Sequence, residues 1–166
     1  MHILNKIVSF ITKGAAQVAQ VTLTFTMLII VANVISRRVL GRPVPGTVEL
    51  VEMSGAILLA MAVAYTAQLK GHIMVSVLVE RFSLRIQGMV DIVTSSISLY
   101  FTFLLAREIF TFATRMLARG YSTGLLRLPI SPSIYIVGIG FAMLTLVLLR
   151  DLVKAVMLAV KGSESI

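Results

Sequence analysis

The chain has 166 residues, 58% hydrophobic and 13% charged, with a mean hydropathy of +0.98. That balance excludes an ordinary water-soluble fold and calls for lipid as the solvent. Cysteine is absent, so there is no disulfide framework, thiolate metal site or catalytic thiol. The formal charge of +8 does not mark a nucleic-acid surface. The Lys and Arg residues stand singly between apolar blocks and read as loop charges meeting the headgroups of membrane lipids.

The opening residues, MHILNKIVSFITKG, are not followed by a small-residue cleavage site, and the segment is expected to be retained. Ile3, Leu4, Ile7, Val8, Phe10 and Ile11 recur near helical spacing opposite Asn5, Ser9 and Lys13. This predicts a short amphipathic interfacial segment over 1–14, or a simple extension of the first span.

A helix crosses the hydrocarbon core with about 20 residues, at about 1.5 Å each against about 30 Å. Four segments meet that length, at about 15–36, 48–69, 86–107 and 131–149, followed by a tail over 150–166. The first carries no charge, although it includes Gln17, Gln20 and Asn33. The second has Glu49 and Glu52 in its first turns, where the helix dipole favours acids. The third carries Asp91 about one turn from its start and is the most polar. The fourth follows Pro129 and Pro132, which suit the approach and first turn of a helix. The expected fold is an all-α integral membrane protein, one membrane domain of four transmembrane helices with short amphipathic interfacial segments. A soluble four-helix bundle would show charged faces along each helix, whereas these segments hold their charges at the ends.

Orientation does not follow from charge, because Lys and Arg are nearly balanced on the two sides of a four-span layout. Even parity puts both termini on one side, and Lys154 and Lys161 lean towards the cytoplasm.

An ion or proton pathway needs ionisable groups deep in the membrane, each costing roughly 2.5–3.5 kcal/mol at a helix centre. Glu49, Glu52, Asp91, Arg107 and Glu108 are all expected within a turn or two of a span end, which speaks against a transport path in this chain alone. His2 and His72 are the only histidines, so no paired haem ligands or metal cluster can be assembled. Gly138-Ile139-Gly140 lies inside a span and is no phosphate loop. No catalytic residue, cofactor site or metal site is expected, and the chain does not read as an enzyme.

Small residues at helical intervals, Ala56, Ala60 and Ala64, Ser95 and Ser98, and Gly138 and Ala142, permit close helix approach, within one bundle or against a partner. The loops are more particular. Arg37-Arg38-Val39-Leu40-Gly41-Arg42-Pro43-Val44-Pro45-Gly46 makes a turn before Glu49, which can pair with a nearby arginine. Lys70-Gly71-His72-Ile73 follows the second span, and Val75, Leu78, Val79 and Phe82 suit one face of a short surface helix.

In their order, these features resemble the small membrane subunit (DctQ type) of tripartite ATP-independent periplasmic (TRAP) transporters. The resemblance covers nearly the whole chain. It rests on four spans, the arginine, glycine and proline turn into Glu49, the Gly71-His72-Ile73 step, and the Ser122 to Pro129 stretch. The family often has an acid a few residues after the His-Ile pair and aromatics after the late proline; Ser76, and Ile130 with Ser131, stand at those places here.

The resemblance implies a non-catalytic brace in the bacterial inner membrane, packed against a large multi-span subunit that holds the substrate and sodium sites. A periplasmic substrate-binding protein would deliver an organic anion, a carboxylate or sialic acid, with uptake driven by sodium. Both termini would be cytoplasmic. Arg37, Arg38, Arg42, Arg115, Arg119 and Arg127 would then form a basic periplasmic rim for docking the binding protein, with Glu49, Gly71, His72 and Pro129 as family-pattern loop and interface positions. Two other readings are a small homodimeric exporter, for which Asp91 is the candidate membrane acid, and a non-transporting anchor or assembly subunit of another complex.

Overall fold

A computed structural model describes residues 2–69 and 84–161. Four helices account for nearly all of them: α1 (His2–Leu40), α2 (Thr47–Gln68), α3 (Leu84–Ala118) and α4 (Ser131–Lys161). Each contains a stretch long and apolar enough to cross a membrane: Val8–Leu40, Thr47–Gln68, Ile92–Ala118 and Ser131–Met157. The chain is an all-α, multi-pass membrane protein. Gly71, His72 and the surface helix expected around Val75–Phe82 lie outside the described residues, as does the side chain of Asp91.

The helices form an open array. α1 packs on α2, α2 on α4 and α4 on α3, with a minor contact from α1 to α4. Small residues set the seams. Ala64 and Ala67 of α2 are buried with Val8 of α1 and with Leu144 and Val147 of α4, and Ala15 and Ala19 of α1 are buried against Met61 of α2. The tightest approach is at Gly140, where an added Cβ would lie 2.7 Å from the Ala60 carbonyl oxygen. At Gly138 a Cβ would meet the Phe110 ring at 3.1 Å. Ala60, Ala64 and Gly138 therefore do what their spacing suggested; Ala56 is exposed, and Gly140 was not singled out.

Polar groups join the seams as well. Thr26 Oγ1 donates to Ser54 Oγ at 2.8 Å, while Ser54 donates to the Leu50 carbonyl at 2.6 Å. Thr12 donates to the Val8 carbonyl at 2.7 Å and meets the Gln68 side-chain amide. Thr26→Val removes the α1–α2 bond without orphaning Ser54. A loss of about 0.6 kcal/mol, and no more than about 1.7, is expected, measurable by denaturant unfolding in detergent.

Of the two readings of residues 1–14, the structure takes the extension of the first span: α1 runs unbroken from His2, with Val8 and Thr12 buried in the array. The isolated Lys6 and Lys13 are exposed and neither one interrupts a helix.

One expectation is corrected: α3 does not end at Arg107 but runs on to Ala118. No Gly or Pro stands between Arg107 and Arg119, and the helix stops only where Gly120 adopts φ +63. There the Tyr121 N–H bonds to the Met116 carbonyl and the Gly120 N–H to the Leu117 carbonyl, both at 3.1 Å, a Schellman stop. Arg107 and Glu108 thus lie about 16 Å from Ala118 at 1.5 Å per residue, in the middle of the apolar stretch.

Packing confirms the depth. Phe110 sits beside Gly138, and Gly140 beside Ala60, so Arg107, one turn from Phe110, is level with the middles of the charge-free stretches of α2 and α4. Those stretches, with no Asp, Glu, Lys, Arg or His, run from Met53 to Gln68 and from Pro132 to Leu149. The span centres are therefore not free of charge. The pair nevertheless lies on the outside of the array, its side chains 68% and 62% exposed, and lines no enclosed path among the described residues.

Candidate functional site

The most constructed part of the molecule is the end of the array where α1 and α3 finish and α2 and α4 begin. The α1–α2 turn folds back on α1. Asn33 Oδ1 accepts the Val44 N–H at 2.9 Å, and the Ser36 hydroxyl donates to the Arg42 carbonyl at 2.8 Å. Gly46 then takes φ +76 at the N-cap of α2, a left-handed conformation that costs an L residue roughly 1–2 kcal/mol. The Leu50 N–H bonds to the Gly46 carbonyl at 3.0 Å, and α2 begins.

The α3–α4 connection is a folded loop. Ser122 and Pro129 pair as an isolated antiparallel bridge. It is flanked by Thr123 N–H to the Leu128 carbonyl at 2.8 Å and Ile130 N–H to the Tyr121 carbonyl at 3.4 Å. Pro129 fits because these bonds are donated by its neighbours. Arg127 adopts φ +53, and the Leu128 N–H is received by Thr123 Oγ1 at 3.0 Å. At the tip the backbone presents two consecutive donors, Leu125 and Leu126.

Glu49 receives both. Its Oε1 accepts the Leu125 N–H at 2.5 Å and its Oε2 the Leu126 N–H at 3.0 Å, a charged acceptor in a small backbone nest. Beside it Leu126 fills the space over Gly46, where a Cβ would lie 2.3 Å from Leu126 side-chain carbons. The first turn of α2 and the α3–α4 loop are thereby clasped into one body. Among the described residues no arginine pairs with Glu49: the acid is spent on main-chain amides.

The six arginines all lie toward this end. Arg37 and Arg38 are in the last turn of α1 and Arg115 in the last turn of α3, while Arg42, Arg119 and Arg127 lie in the two connections. All six are exposed. Beneath the clasped loop an open groove of about 610 Å³ runs between α2, α3 and α4, lined by Glu52, Met53, Ala56, Ile109, Tyr121 and Val137 among others. At the opposite end, Arg150 is buried and bonded to Asp151, with Nη2 to Oδ1 at 2.8 Å. No group of three or more His, Cys, Asp or Glu is placed to hold a metal ion among the described residues.

Of the sequence-derived positions, Glu49 and the Ser122–Pro129 stretch are brought into direct contact. The missed participants are Gly46, Thr123 and the Leu125 and Leu126 amides; the turn residues Thr123-Gly124 were the available signal.

No curated protein sequence matches the chain. Over residues 26–157 it matches the family described as tripartite ATP-independent periplasmic transporters, DctQ component. Both halves of the clasp, Glu49 and the Ser122–Pro129 loop, lie inside that match. The family works within systems that also contain a large membrane subunit and a substrate-binding protein. With four spans and most of its length inside the family, this chain belongs to the DctQ components of TRAP transporters and is a transport subunit, not an enzyme.

Proposed function

We propose that the chain is the static brace of a sodium-driven importer of an organic anion, a carboxylate or sialic acid, in the bacterial inner membrane. The large multi-span subunit holds the substrate and sodium; this chain supports it and offers its loop end to the periplasmic binding protein. Both termini then face the cytoplasm, and the clasped end faces the periplasm.

The observation that carries this reading is the clasp. Glu49 and Leu126 tie two loops into one surface, beside which six exposed arginines stand. A fixed basic rim suits an acidic face on a soluble partner, because complementary charge raises the encounter rate and fixes the register. An open helix array with long apolar spans suits support better than conduction; the one buried charged side chain among the described residues, Arg150, is bonded to Asp151 at the opposite end.

Charge reversal tests the docking role. Arg38→Glu with Arg127→Glu is expected to raise the binding-protein concentration for half-maximal uptake by about tenfold, with the largest effect at low salt. Uptake at saturating binding protein should be preserved. Unchanged uptake at limiting binding protein would contradict the role.

A further inference from the structure

The charged pair at the middle of α3 has no other ion-pair partner among the described residues. Arg107 Nη1 lies 3.8 Å from Glu108 Oε1, which holds the guanidinium at the level of its neighbour rather than stretched towards headgroups. At 3.6 residues per turn, Ser96, Tyr100, Arg107, Thr111 and Thr114 fall within an arc of about 60°. Thr102, Ala106 and Ala113 are buried on the other side of the helix. α3 is the outer member of the array and packs chiefly on α4, so the polar arc faces away from the rest of the protein.

We propose that the large transport subunit seats a membrane-spanning helix on this face of α3 and supplies polar or charged partners to Arg107 and Glu108 at mid-membrane depth. The proposal rests on the brace reading and names the face that reading needs. Depth and charge select the occupant. Acyl chains offer the pair nothing, and a soluble binding protein cannot reach the middle of the bilayer. What remains is a transmembrane helix with complementary groups, and the family to which this chain belongs works beside a large membrane subunit. A second copy of the chain would also bring one acid and one base to this depth, and the experiment separates it.

The natural sequence has no cysteine, so single cysteines are clean reporters. Thr111→Cys on the arc and Val31→Cys on the exposed flank of α1 would each be introduced into the full chain, expressed with the other subunits, labelled with a maleimide–benzophenone reagent in native membranes and irradiated, so that the excited carbonyl inserts into C–H bonds of whatever helix lies alongside. Thr111→Cys is expected to cross-link to the large subunit and Val31→Cys not to. Separately, Arg107→Leu with Glu108→Leu is expected to lower recovery of the large subunit in co-purification by about tenfold. This variant makes α3 more apolar and eases insertion, so failure to enter the membrane does not explain the loss.

Cross-linking of Thr111→Cys only to a second copy, cross-linking to the large subunit only from Val31→Cys, or undiminished co-purification of the double leucine variant would overturn the proposal and leave the brace reading standing. If the natural chain recovers no large subunit at all, the brace reading falls first.

Discussion

Gly140→Leu is expected to prevent assembly of the helix array, whereas Gly138→Ala is expected to be tolerated with modest loss. Both glycines are buried in α4, but they face different kinds of neighbour. A Cβ at Gly140 would lie 2.7 Å from the Ala60 carbonyl oxygen and 2.8 Å from its carbon. Those are main-chain atoms of a hydrogen-bonded helix, so α2 and α4 must separate along their seam. A Cβ at Gly138 meets only side-chain atoms, the Phe110 ring at 3.1 Å and Ile109 Cγ2 at 3.3 Å, which shift by a few tenths of an ångström.

Overpacking of an ordinary core costs roughly 1–3 kcal/mol. Gly138→Ala should fall at the lower end and Gly140→Ala at the upper end. A leucine at Gly140 has no room to relax, and it breaks the close packing that joins helices in lipid. Unfolding in mixed micelles should show the order Gly138→Ala, Gly140→Ala, Gly140→Leu. The large effect should disappear if the helix faces were misassigned.

The second large effect concerns Glu49. Glu49→Gln keeps one acceptor oxygen but turns an amide NH₂ towards a backbone N–H, so one bond of the clasp becomes donor against donor. Glu49→Ala removes both bonds. Hydrogen exchange at the Leu125 and Leu126 amides should accelerate by roughly tenfold in the glutamine variant and further in the alanine variant. Amides of the α2–α4 seam should be unaffected. Gly46→Ala should loosen the same two amides by another route, since its Cβ collides with Leu126 and its φ of +76 disfavours any side chain. Acceleration in the Glu49 variants that is absent in Gly46→Ala would show that the two contacts do not act as one clasp.

Hydropathy and length made the four helices legible, because a transmembrane segment must satisfy its backbone internally and be apolar over about 20 residues. They did not reveal where helices stop. Arg107 and Glu108 looked like the end of a span because charge normally marks an interface. The true stop is written at Gly120, which accepts the left-handed conformation of a Schellman turn. That misplacement hid a mid-membrane ion pair. In the same way Lys6 and Lys13 suggested a surface segment, although an exposed lysine on a long helix does not break it.

The clasp was half legible. Glu49 and the Ser122–Pro129 stretch were singled out separately, but their contact was not, because the donors are main-chain amides that no side-chain pattern announces. Glu49 therefore finds backbone N–H groups where a side-chain pattern points to an arginine. The arginines of the loop end are exposed, as charges at the mouths of apolar segments must be to stay outside the hydrocarbon core whatever the packing.

The central claim, that this chain supports a larger transport subunit and does not conduct by itself, is tested most directly by purification from native membranes followed by reconstitution. The chain should be recovered in fixed ratio with a large multi-span subunit, and proteoliposomes should take up substrate only when both and the binding protein are present. Sodium-driven transport by proteoliposomes holding this chain alone would contradict it.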